Sequence, residues 1–165
     1  MLEKEAIRER IEFNKEFYSK LFTIINKPKK VLDLGCGLNP LYFPHKKIKY
    51  IAVDKNKKTL KQVKRYFKKN KINGEVICCD IKDVDFQNIK NIDLVLALKI
   101  FDSVEKIIVK KLLYLIHTKW LVVSFPTRTI SGKRMNKPRR KWFESMVKIE
   151  KILRFHNEIF YIIKK

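Results

Sequence analysis

The sequence of 165 residues contains no run of 18 apolar residues, which excludes a membrane-spanning helix. Its first residues, MLEKEAIRER, are charged throughout, so no secretory signal is expected. Cysteine is scarce: Cys36, Cys78 and Cys79 form no C-x-x-C pair, and two of them are adjacent. A disulfide framework or zinc cage fits poorly with that, whereas a reducing, cytoplasmic setting without a bound metal fits well. No internal repeat or low-complexity linker interrupts the chain, and its length suits one domain. Acidic residues are also few, 17 Asp+Glu against 39 Lys+Arg, for a net charge of +22. Such an excess predicts a polyanionic partner, nucleic acid before an acidic membrane surface. With 45% hydrophobic and 12% aromatic residues the chain can still build a core, so the charge does not imply disorder.

What is present is an alternation of short β-branched runs with amphipathic stretches. Residues 6–25 place Ile7, Ile11, Tyr18, Leu21 and Ile25 at helical spacing between charges. Beyond Pro28, residues 31–34 read as a buried strand ending in glycine. In LNPLYFPHKKIK, which follows, Pro40 and Pro44 leave room for little more than one helical turn. Further strands are predicted at 49–54, 75–80, 92–98 and 120–125, the second of these introduced by the Asn73-Gly74 turn signal. Helices are predicted at 56–70, with Leu60, Val63 and Phe67 inward, and at 103–117, with Val104, Ile107, Ile108, Leu112 and Leu115 inward. A basic loop, a helix around 139–151 and a hairpin, KILRF then EIFYIIKK, complete the pattern. This order predicts an α/β fold, a doubly wound, mostly parallel sheet with an antiparallel C-terminal edge. One N-terminal helix, within residues 1–28, is expected to pack on a domain of residues 29–165.

Sheets of this kind bind ligands beyond the carboxyl ends of their strands, at the switch point beside the first strand. There VLDLGCG carries Gly35 and Gly37, which either admit a ligand to the backbone or form a plain tight turn. The dinucleotide fingerprint G-x-G-x-x-G is not completed, because Pro40 occupies the third glycine position. The proline-rich loop also makes a poor helix N-terminus for a pyrophosphate. Asp54 ends the second strand, where a carboxylate accepts hydrogen bonds from both hydroxyls of a ribose or caps the next helix. Asp80 ends the third, where it holds the amine of an adenine or serves as a cap. Asp33, inside the first strand, is a costly buried charge unless donors or a cationic ligand stand near. Three acids on the ligand rim of a strongly basic chain suit a cofactor that is itself cationic.

On these residues the chain resembles the class I S-adenosylmethionine-dependent methyltransferases. VLDLGCG matches their first motif, and Asp54 and Asp80 the acidic residues of the second and third strands. The resemblance implies a Rossmann-like methyltransferase fold with S-adenosyl-L-methionine as cofactor. Gly35 and Gly37 would border its methionine and ribose, Asp54 the ribose, Asp80 with Ile81 the adenine, and Asp33 would answer the sulfonium charge.

The chain is similar in particular to the aminoglycoside-resistance 16S rRNA (guanine-N7) methyltransferase family. Five segments carry this in the family's order: IRERIEFNKEFYSKLF (7–22), VLDLGCGLNPLYFP (31–44), LALKIFDSVE (96–105), SFPTRTISGK (124–133), and WFESM with FHNEIFYII (142–146, 155–163). That likeness adds Cys36, Asn39, Lys55, Leu98 and Lys99 to the cofactor side. It turns Phe125, Pro126 and Thr127, with Arg128, toward the target base, and gives Asn157 and Glu158 the acceptor side. Read as residues alone, Lys99 can equally be a solvated strand end, Phe125-Pro126 a strand stop and Asn157 a hairpin turn. Family members carry a further N-terminal helical domain that docks on RNA. This chain begins at the helix that would follow it, so a core without that module is expected.

The acceptor is narrowed by elimination. Where a [DNS]-P-P-[YFW] box would serve an exocyclic amine, the chain reads Leu98-Lys99-Ile100-Phe101. No cysteine follows the fourth or fifth strand, as attack at a pyrimidine carbon would need. Guanine N7 offers a lone pair and carries no proton, so it needs no general base. The expectation is an rRNA (guanine-N7) methyltransferase of the small subunit. A methyltransferase for tRNA or protein, and a non-catalytic RNA-binding or assembly factor on the same fold, stay open. For RNA contact the candidates are Arg128, Asn157 and, within KRMNKPRRK (133–141), Lys133, Arg134, Lys137, Arg139 and Arg140. The lysines of 55–71 read as solvated helix surface. A monomer acting on rRNA or the 30S particle, without membrane or metal, is expected.

Overall fold

Runs of β-branched and aliphatic residues take the strand positions, and a computed structural model shows where each begins and ends. Residues 2–129 and 131–165 are described, with side chains from residue 12 onward. The strands are β1 (Lys30–Leu34), β2 (Lys49–Asp54), β3 (Gly74–Cys78), β4 (Leu94–Leu98), β5 (Trp120–Pro126), β6 (Lys151–Phe155) and β7 (Glu158–Lys164). The helices are α1 (Leu2–Ile25), α2 (Lys57–Lys69), α3 (Lys106–Leu115) and the single turn α4 (Lys141–Glu144). All strands join one seven-stranded sheet in the order β3-β2-β1-β4-β5-β7-β6. β1 to β5 pair parallel, and β7 pairs antiparallel with both β5 and β6. The reversed strand therefore lies inside the sheet, and the edge strand β6 runs with the parallel set.

The pleat sends alternate residues to opposite faces. Leu121, Val123 and Phe125 of β5, with Leu32 and Leu34 of β1, meet Val109, Leu112 and Leu113 of α3 and Phe143 of α4. Val31 and Val122 face the other way, onto Phe17, Tyr18, Leu21 and Ile25 of α1 and Leu60, Val63 and Phe67 of α2. α1 thus shares its core with the sheet. The side chains of Ile7 and Ile11, expected inward, lie outside the described residues.

Two elements depart from the expected pattern. α3 begins at Lys106 because Phe101–Ser103 winds into a 3-10 turn and Val104 is extended, at φ −123° and ψ 141°. Its buried stripe is Val109, Leu112 and Leu113. Ile107, about 200° around the helix from Val109, is 66% exposed rather than inward. The helix expected around 139–151 shrinks to α4, because the chain turns at Ser145 and Glu150 N already donates to Ile162 O of β7 at 2.9 Å. Met146, Val147 and Ile149, spaced as on a helix, reach the core from turns instead.

Candidate active site

The parallel strands end on one side of the sheet, and the chain leaves β1 there through two left-handed glycines, Gly35 (φ 63°) and Gly37 (φ 49°). A Cβ on Gly35 would stand 2.9 Å from Ile100 Cδ1, whereas one on Gly37 would meet nothing within 4 Å. The first glycine is required by its left-handed backbone, and a side chain there would also have to displace Ile100. The second keeps its backbone open to a ligand. Asp54 steadies this turn, accepting from Gly37 N at 2.9 Å and Asn56 N at 2.8 Å. Asn56, not Asp54, caps α2, accepting from the backbone N–H groups of Lys58 and Thr59. Asp80 stands two residues beyond the end of β3, because that strand stops at Cys78. It caps the following 3-10 turn through Lys82 N at 3.2 Å and lies 3.8 Å from Lys55 Nζ.

Two cavities flank Gly35. One, of about 250 Å³, is lined by Asp54, Lys55, Asp80, Ile81, Ile100 and Val104 among others. The second, of about 210 Å³, takes in Cys36, Gly37, Asn39, Leu98, Lys99 and Glu158. Every cofactor candidate from the sequence lines one or both, except Asp33.

Asp33 is 1% exposed and points to the α1/α2 face, behind the cleft. Its Oδ2 accepts from Tyr50 OH at 2.5 Å and from Asn39 Nδ2 at 2.9 Å, while Tyr18 OH donates to Asn39 Oδ1 at 2.9 Å. The expected answer to a sulfonium is thus corrected: this carboxyl is occupied by the side chains that lock Asn39 between α1 and β2. Burial pushes its pKa up to about 7, against the lowering effect of the Asn39 and Tyr50 hydrogen bonds.

Lys99 adopts φ 55°, with its N–H donating to Ser124 O at 3.0 Å and Ser124 Oγ at 3.1 Å. Its Nζ meets Glu158 Oε1 at 2.9 Å, and Ser124 Oγ donates to Glu158 Oε2 at 2.9 Å. Lys99 is therefore tied into the cleft wall by the terminal hairpin.

The proposed base-facing segment divides. Phe125 is fully buried, its ring 5.4 Å from that of Phe143 and 5.8 Å from that of Tyr161, so it cannot touch a base. Pro126, Thr127 and Arg128 are half-buried at the strand end. Thr127 N donates to Asn157 O at 2.8 Å, and Arg128 Nε to Asn157 Oδ1 at 2.7 Å. Lys133, Arg134 and Lys137 are exposed. Arg139 instead forms a bidentate ion pair with Glu144, Nε donating to Oε1 and Nη2 to Oε2, each at 2.7 Å. Arg140, with a side chain only 12% exposed, holds Asp102 Oδ2 at 2.6 Å and lies 5.3 Å over the Phe125 ring. Its guanidinium is committed inside the protein and is not free for a phosphate.

Residues 1–149 match the profile of the ribosomal RNA methyltransferase (FmrO) family. The chain belongs to that family. A 16S rRNA (guanine(1405)-N(7))-methyltransferase of Micromonospora rosea is 25% identical over 97% of this chain and 62% of its own length. The 16S rRNA methylase ArmA is 26% identical, with a TM-score of 0.73 over 97% of this chain and 86% of its own. The fold is shared with the 16S rRNA methyltransferase RmtF, solved in complex with S-adenosyl-L-homocysteine, at a TM-score of 0.80 and 22% identity over 97% of this chain and 65% of its own. The chain spans between 47% and 62% of the length of the curated relatives it matches.

In this FmrO-family chain few polar side chains are buried. Among the described residues these are Asn14, Asp33 and Ser124. Asn14 lines the second cavity beside Phe17 and Phe160, and Ser124 holds Glu158 and Lys99. Sequence reasoning passed over Asn14 and Ser124. The available signal was a single polar residue on an inward helix stripe, and another inside the apolar run WLVVSF. Among the described residues no group of three or more His, Cys, Asp or Glu side chains could hold a metal, and no helix is long and apolar enough to cross a membrane.

Proposed function

We propose that this chain is an S-adenosylmethionine-dependent methyltransferase that methylates guanine N7 in small-subunit rRNA. The observation that carries the reading is the cleft divided by Gly35, with the Asp54 and Asp80 carboxylates on one side and the Lys99–Glu158 pair on the other. Family membership and relatives named for that reaction support it. The residues fit the cofactor: Gly37 leaves open space, and Asp54, already fixed by two backbone donors, offers a carboxylate suited to a vicinal diol. Bound there, S-adenosylmethionine supplies an electrophilic methyl group. Asp80 and Ile81 border the adenine side, and Asn39, held by Asp33, shapes the far side. Guanine N7 has no proton to lose, so the chain's task is to align the base and exclude water. Pro126, Thr127 and Arg128 are placed to position it, with Asn157 bracing them and Phe125 supporting them from the core. The target base would leave its stack to reach this pocket. We place the protein in the cytoplasm as a monomer, with rRNA or the 30S particle as partner.

The test incubates the protein and methyl-labelled cofactor with isolated small subunits, naked 16S rRNA, tRNA and bulk protein. Borohydride and aniline cleavage then maps 7-methylguanine. A single cleavage site in 16S rRNA is expected. Label found only in tRNA or protein, or cofactor binding with no transfer to any of them, overturns the proposal.

A further inference from the structure

We propose that the outer face of α3 and the groove beside it form a second RNA-contact track, separate from the cleft. Its lysines would follow a phosphate backbone, and Tyr114 would stack on an unpaired base. The proposal rests on the reading of the chain as an RNA-modifying protein. Among the described residues two large apolar side chains are left exposed, Ile107 at 66% and Tyr114 at 81%. They stand seven residues apart on one helix and so share a face, with Lys110 and Lys111 between them. A helix packed on a core ordinarily gives that face to polar residues alone.

Tyr114 borders a groove of about 630 Å³ whose walls include Lys110, Lys148, Lys164 and Lys165 and no Asp or Glu side chain. Lys165 is anchored at its rim by a hydrogen bond to Leu113 O. At the other end of α3, Lys106 Nζ lies 5.5 Å from the Trp142 ring, which joins the stripe to the basic segment 133–141. α3 starts beside the first cavity, to which Glu105 and Ile108 contribute. It runs about 15 Å toward the end of the sheet where Trp120 pairs with Lys164. The track thus leads from the cleft rim to the opposite end of the molecule. A second copy of the chain on this face would set lysines against lysines, a repulsive contact. A nucleic acid strand brings opposite charge, and each of its bases has a π-face for the tyrosine.

Binding of isolated 16S rRNA and steady-state methylation, each over a range of salt, test the proposal. The variants are Tyr114→Ala, Tyr114→Phe and the triple Lys110→Ala/Lys148→Ala/Lys164→Ala, all at exposed side chains, with cofactor affinity as the folding control. Tyr114→Ala is expected to weaken RNA binding and raise KM for RNA about tenfold at unchanged kcat, and Tyr114→Phe to restore both. The triple variant should flatten the logarithmic salt slope by about 2. Wild-type affinity and slope in the alanine variants overturn the track, and so does equal loss in Tyr114→Ala and Tyr114→Phe. Should the protein bind RNA through these residues yet methylate none, the track stands and the methyltransferase reading falls. Unchanged KM in variants that still methylate rRNA has the reverse meaning.

Discussion

Asp33, inside β1, and Asp54, at the end of the neighbouring β2, have surroundings that give them opposite characters. Asp54 opens onto a cavity and takes two backbone donors, so its carboxylate is held in place with room to accept more hydrogen bonds. Asp54→Ala is expected to weaken S-adenosylmethionine binding roughly ten- to a hundredfold, the value of one or two hydrogen bonds to a charged group. Calorimetry checks this, and unchanged affinity would remove Asp54 from the site. Asp33 is sealed among Tyr50 and Asn39 with its pKa raised by burial to about 7. A carboxyl raised on folding binds its proton more tightly in the folded chain. Its contribution is therefore complete below the unfolded value near 4 and is lost as pH rises to about 7. Asp33→Asn, which does not titrate, should flatten the stability profile between those limits. Denaturant midpoints of the two proteins across that range read the difference, and parallel profiles would contradict it. The sequence placed an acid in the strand but could not say whether it reached the ligand. That depends on which face the pleat assigns it.

Among the elements, the strands were legible because β-branched runs bounded by glycine, proline or asparagine leave little choice of conformation. The same pleat parity that hides Asp33 sets Ser124 against Glu158 and Phe125 in the core, one residue apart. Neighbours in a motif therefore part company in the structure. The helix expected at 139–151 was not legible. Trp142, Phe143 and Met146 carry a helical spacing, but the backbone hydrogen bond from Glu150 to β7 draws the chain into the sheet. What fastens the segment before it is Arg140, which reaches Asp102, Pro138 O and Pro126 O and covers Phe125. Arg140 so ties the loop after β5 to the turn that supplies Ser103 and Val104 to the first cavity. Arg140→Ala should cost about 1–3 kcal/mol of stability, the cost of leaving a charged partner unmatched. It should also speed tryptic cleavage after Lys133 and Arg134 and raise KM for RNA. A variant with wild-type melting and wild-type proteolysis would show that the loop is held by something else.

For the molecule as a whole, the net charge of +22 needs sorting before it explains anything. Arg139 and Arg140 stood in the most basic segment of the sequence, and the structure spends both on Glu144 and Asp102. Lys133, Arg134 and Lys137 remain exposed beside the proposed acceptor site. RNA affinity should fall linearly with salt on logarithmic axes, and Lys133→Ala with Lys137→Ala should reduce the slope by about 1–2. Arg140→Ala should lower affinity without changing that slope. Filter binding over a salt series distinguishes the two, and equal slopes in all variants would place the phosphate contacts elsewhere. The internal position of β7 has a further consequence, for synthesis on the ribosome. β5 emerges well before the strand that covers its outer edge, since β6, the loop between them and α4 are all made first. Until the residues through Lys164 are available, that edge offers unpaired backbone groups to any neighbouring chain. The nascent protein is therefore most in need of a chaperone after β1 to β5 have already paired.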